Sequence, residues 1–126
     1  MVGTNLVVYL YETFKSPEAG ITLQGNTPMH LASTIGMLTV PAGAIIAEDY
    51  KLKASLTAEV KVENDQYIVV EYQIDEYGVG ESLQEAQQDL FSSLIDYLKS
   101  LEKRENRLGD KERRNLSSLR NMLVKM

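Results

Sequence analysis

The side chains able to do chemistry are few, and their spacing limits what each can do. His30 is the only histidine, with Ser33 three residues on. A Ser–His pair is conceivable there, but flanked by Pro28 and Met29 the imidazole reads as a loop or packing residue. The chain has no cysteine, which excludes disulfides, thiolate nucleophiles and thiolate metal sites. Glu48-Asp49 and Asp75-Glu76 carry the charge that a divalent cation needs. Adjacent residues on a strand point to opposite faces, so neither pair cages an ion alone, and solvated turn carboxylates are the expectation. Gly78-Val79-Gly80 stands before a helix start, as in phosphate-binding loops. The full dinucleotide spacing is absent and Glu81 would repel a phosphate, so the glycines serve a tight structural approach. The inventory predicts no enzyme, no cofactor and no metal.

Two other sets of residues suit binding. Arg113, Arg114 and Arg120 are the candidates for nucleic-acid contacts, although no aromatic stacking residues or recognisable DNA-reading motif accompany them. Leu116, Leu119, Leu123 and Met126 recur at helical spacing and form the candidate oligomer or partner interface. Charge is split unevenly along the chain. From Lys99 onward nine Lys/Arg stand against four Asp/Glu, a net +5, whereas the first 98 residues hold four bases and fourteen acids, a net −10. An acidic body with a basic tail fits nucleic acid or self-association through opposite charges, and bases interleaved with acids also describe an ordinary solvated face.

The elements that must position these residues are clearest in the second half. Ser82 and Glu85 form an S-x-x-E capping box. Behind it Leu83, Ala86, Leu90, Leu94, Leu98 and Leu101 mark one face of a helix running to about Arg104. Phe91, Ile95 and Tyr97 broaden that stripe, so a second partner element besides one sheet face is expected. Leu108-Gly109 ends the pattern, and Asp110 can cap a second helix from Lys111.

Before the long helix, Leu56, Ala58, Val60 and Val62 alternate with polar residues, and Ile68, Val70, Tyr72 and Ile74 do the same after Asn64-Asp65-Gln66. Pairing the two apolar sets requires an odd-length loop, with Val60 opposite Val70 and Val62 opposite Ile68. A short third strand is expected at Tyr77–Val79. Upstream, Asn5–Phe14 reads as a strand, and residues 15–50 as short strands or an irregular arm that packs on its own sheet or a neighbouring subunit.

The chain thus divides into an N-terminal segment 1–50, a core 51–107 and a C-terminal amphipathic helix 108–126. The fold class is α+β: an antiparallel sheet, made of a hairpin and a short third strand, packed by a long helix, with a second helix at the C-terminus. The longest apolar runs, Leu6–Tyr11 and Leu38–Ala47, are too short to cross a bilayer, and the opening residues lack a basic signal-peptide region. A cytoplasmic protein with no membrane contact is expected.

The segment from about Leu56 to Tyr97 resembles the HicB-like antitoxin fold of type II toxin–antitoxin systems. The likeness rests on Asp65-Gln66-Tyr67-Ile68-Val69-Val70 and on Gly80-Glu81-Ser82-Leu83-Gln84-Glu85-Ala86, in the order hairpin, strand, helix. The resemblance implies a small homo-oligomeric domain on a partly RNase-H-like sheet, without nuclease activity, that neutralises a small basic RNA-cleaving toxin. The function expected is therefore a non-catalytic protein-interaction domain, with a DNA-binding autoregulator using the basic C-terminal helix as the alternative.

Overall fold

The long helix α1 (Leu83–Lys103) starts where its cap predicts. Ser82 Oγ accepts the Glu85 N–H at 3.1 Å, and Glu85 Oε1 accepts the Glu81 N–H at 2.9 Å, so donors that the helix leaves unpaired are satisfied locally. The computed structural model describes residues 11–13 and 33–126 of the chain. The expected strand Asn5–Phe14 is described only at Tyr11–Thr13, while Ile21–Leu23 and His30 lie outside the described residues.

Among the described residues, eight strands accompany the helices. The main antiparallel sheet runs in the order β1 (Tyr11–Thr13), β2 (Ser33–Val40), β5 (Leu56–Glu63), β6 (Gln66–Glu71) and β7 (Glu76–Gly80). A smaller sheet joins β3 (Ile45–Ala47), β4 (Tyr50–Leu52) and β8 (Leu123–Lys125). The second helix, α2, covers Asp110–Met122 and follows a 3₁₀ turn at Glu105–Arg107. The architecture is α+β, as expected. Ser33–Val40 lies on the chain's own sheet, with Leu38 opposite Ala58 and Val40 opposite Leu56.

The hairpin departs from the expected register. Asn64 and Asp65 both take left-handed backbone, at φ 52° and 64°, and form a two-residue turn. Val60 therefore stands opposite Val69, and Val62 opposite Tyr67. Two positive φ values match the right-handed twist of the flanking strands, and Asn and Asp tolerate that region better than other non-glycine residues. The consequence is a reversal of β6. Val69 and Glu71 are buried, while Ile68 and Val70 are half-buried on the opposite face and Tyr72 is exposed.

Helix α1 packs on the inner face, over β6 and β7. Gly78 and Gly80 point inward there, and a Cβ on Gly80 would lie 2.5 Å from the Ala86 amide nitrogen. These glycines serve close approach. The second partner element for the broad stripe comes from the same chain: α1 also meets α2 and β3, and Asn115 Nδ2 donates to Tyr97 Oη at 3.0 Å.

The C-terminal helix is shorter than its apolar row suggests. Leu123 leaves helical geometry at φ −119°, ψ 146°, and Leu123–Lys125 pairs antiparallel with β4, Leu52 opposite Leu123. The Lys53 N–H to the Met122 carbonyl and the Met126 N–H to the Asp49 carbonyl, both 2.8 Å, extend that pairing. The exposed edge of β4 thus competes successfully with a last helical turn. Among the described residues no helix is long and apolar enough to cross a membrane.

Candidate protein-interaction surface

The face of the main sheet turned away from α1 is built by the residues that the reversed register sends outward. One row crosses the strands as Met37, Glu59, Val70 and Tyr77, and the next as Thr34, Lys61, Ile68 and Val79. Met37, Ile68, Val70 and Val79 are half-buried, and Tyr72 and Tyr77 are each 56% exposed. No described helix lies over these rows, since α1 packs on the opposite face. Aromatic and branched residues left on an open sheet face are a common composition for a protein contact.

Glu59 is fixed near the middle of that face. Its carboxylate accepts hydrogen bonds from the Thr34 hydroxyl and, at 2.5 Å, from Tyr72 Oη, with Lys61 Nζ 3.9 Å away. The Thr34 and then the Tyr72 hydrogen bond hold its carboxyl below the usual range, against the opposing effect of burial. Beyond Glu59, β6 turns away at Glu71 and leaves a cavity of about 340 Å³ beside the first residues of β5. Its walls include Thr57, Glu59, Glu71, Tyr72, Met37 and Met122.

Glu71 is a buried carboxylate with a structural task. Its side chain accepts the Gln73 N–H at 3.0 Å and the Ile74 N–H at 2.8 Å, and its carbonyl accepts the Asp75 N–H at 3.0 Å. It thereby holds the turn into β7, in which Asp75 sits at φ 70° and Ile74 is buried. Burial raises its carboxyl above the usual range despite those two donors. Burial, then the charge of Glu71, also raises Glu76, its cross-strand neighbour.

The residues singled out from the sequence are distributed otherwise. Leu116, Leu119 and Leu123 are buried in the chain's own core, and of that row only Met126 is exposed, at 54%. The row reads as an interface because a helix alone shows no cover for it; α1 and the small sheet supply the cover. Arg120 is bound by Glu102 at 3.3 Å and Glu105 at 3.0 Å. Arg113 and Arg114 are exposed and, among the described residues, in no ion pair. Glu48 and Asp49 occupy the exposed turn between β3 and β4. Asp75 lies in the turn just described, and Glu76 is the first residue of β7. Among the described residues no group of three or more His, Asp or Glu is placed to hold a metal ion.

The outer face, Glu59 and Glu71 were missed as a site because the more apolar set of β6 was assigned to the core. The Asn64-Asp65 dipeptide between two alternating strands was the signal that could have found them. Compared with known proteins, the chain matches no family model, no curated sequence and no solved structure.

Proposed function

We propose that this chain is a non-catalytic, antitoxin-like protein-interaction domain of the cytoplasm that binds a small basic protein and assembles with copies of itself. The observation that carries this reading is the outer sheet face, over which no described helix lies, with Ile68, Val70, Tyr77 and Val79 facing away from α1 and Tyr72 beside Glu59. The net −10 of the first 98 residues favours a basic partner. The HicB-like resemblance of residues 56–97 adds its class: a small RNA-cleaving toxin, neutralised by occlusion. Self-assembly draws on the contrast between that acidic body and the basic C-terminal part.

The test uses affinity capture from the native cell, followed by reconstitution with the purified captured protein. Wild type should retain one small basic protein and suppress its RNA cleavage. Tyr77→Asp should lose it while melting as wild type does. The DNA-binding reading keeps one observation in its favour, the exposed Arg113 and Arg114, which form no ion pair among the described residues. Salt-dependent promoter binding abolished by Arg113→Ala/Arg114→Ala, with capture insensitive to Tyr77→Asp, would install that reading instead.

A further inference from the structure

The cavity at the end of the outer face has features that the face alone does not require. Residues flanking a two-residue turn form a hydrogen-bonded pair, and such pairs recur at every second position. Glu63 with Gln66, Lys61 with Ile68 and Glu59 with Val70 are therefore the hydrogen-bonded pairs of this hairpin. The next in the series is Thr57, but β6 ends at Glu71 and its chain has turned away. The N–H and C=O of Thr57 consequently point toward the cavity, with no ladder partner on that side among the described residues. An extended segment entering there finds one ready unit of strand pairing.

The side-chain walls select what that segment carries. Glu59 is positioned in advance by Thr34 and Tyr72, each using one lone pair of a different carboxylate oxygen, which leaves acceptor capacity on both. The Tyr72 ring is largely exposed beside it, and Met37 and Met122 supply apolar walls. A guanidinium matches a two-oxygen acceptor and stacks on an aromatic face, while its methylene stem lies along apolar surface. The volume of about 340 Å³ is at the small end for a ligand pocket and has room for an arginine side chain.

We propose that this cavity is an anchor pocket for one arginine side chain on an extended segment of the partner protein, its main chain pairing with Thr57 and its guanidinium bound by Glu59. The inference rests on the protein-interaction reading and names the recognition element within it. The arginine displaces the distant contact of Lys61 with Glu59 and completes the interrupted hairpin ladder.

The test titrates the isotope-labelled full chain with two probes, acetyl-Val-Arg-Val-amide and the same peptide with citrulline, an uncharged isostere of arginine. Saturable shifts of the Thr57, Glu59 and Tyr72 amide signals are expected with the arginine peptide, and binding about tenfold weaker with citrulline. Glu59→Gln should abolish the difference between the peptides, whereas Glu63→Gln should keep it. Should Glu59→Gln fail to fold, Tyr72→Phe, which alters an exposed hydroxyl, must weaken the arginine peptide. Equal binding of both peptides, or shifts that spread over the acidic surface without saturating, overturns the pocket. Native partner capture that survives Glu59→Gln but not Tyr77→Asp would sink the pocket alone and leave the outer-face reading standing.

Discussion

Gly78 and Leu90 bring strand and helix together at backbone distance: a Cβ built on Gly78 would collide with the Leu90 amide and the Ala86 carbonyl. Both obstacles are main chain of α1, so no rotamer change can relieve the clash. Gly78→Ala should therefore lift α1 from β7 and cost about 1–3 kcal/mol or more in urea unfolding. Gly109→Ala is the comparison, since a Cβ there meets nothing within 4 Å, and its cost should be clearly smaller. Equal costs at the two positions would show that α1 does not rest on the β7 backbone.

The hairpin turn gives a prediction of opposite sign. Asp65 holds φ 64° without the freedom of glycine. Asp65→Gly should stabilise the protein by up to about 1 kcal/mol, because relief of the roughly 1–2 kcal/mol cost of left-handed backbone outweighs about 0.4–1 kcal/mol of added unfolded-state entropy. In an odd-length loop with ordinary backbone at Asp65, the same change would add only unfolded-state entropy and would destabilise. The direction of the shift in urea midpoint thus distinguishes the two registers.

That register marks the boundary of what was legible. The α1 stripe, its Ser82/Glu85 cap and the Leu56–Val60 alternation are local patterns, and each element forms where its own residues place it. The orientation of β6 is not local. Its two rows are both substantially apolar, and the turn decides between them by a preference for positive φ. Glu71 looks misplaced on an inner face until the backbone donors of Gln73 and Ile74 are in view. Strand β8 is equally non-local: residues 123–125 continue a helical row, and only the β4 edge, some seventy residues earlier, makes extension favourable. The outer face escaped notice for the same reason as β6, since its Ile68, Val70 and Tyr72 are the row taken for core.

Leu119 tests where the C-terminal apolar row is used. It is fully buried within the chain, so Leu119→Ala should cost about 2–5 kcal/mol through lost contacts and a residual cavity. That cost belongs to one protomer, and the urea midpoint shift should be independent of protein concentration. Met126→Ala, at an exposed position, should change stability little. A Leu119→Ala penalty that shrinks on dilution would instead place this row between subunits.

The two carboxyls lining the cavity should respond to acid in opposite directions. Glu71 is raised in the folded state, chiefly by burial, so the fold binds its proton more readily than the unfolded chain does. Its linkage contribution is therefore complete below the ordinary glutamate value and declines as pH rises through the folded one. Relative to Glu71→Gln, which cannot titrate, wild type should gain stability as pH falls from 7 toward 4.5. Glu59 is lowered, first by Thr34 and then by Tyr72. Its contribution is present above the ordinary value and is lost as pH falls through the folded one. Thr34→Val should remove the larger of the two hydrogen-bond effects, and Tyr72→Phe the smaller, each moving the Glu59 titration upward. Carboxyl-carbon NMR titration of the two residues reads both effects. A downward shift of Glu59 in Thr34→Val, or wild type losing stability relative to Glu71→Gln between pH 7 and 4.5, would contradict the hydrogen bonding and burial that define this end of the sheet.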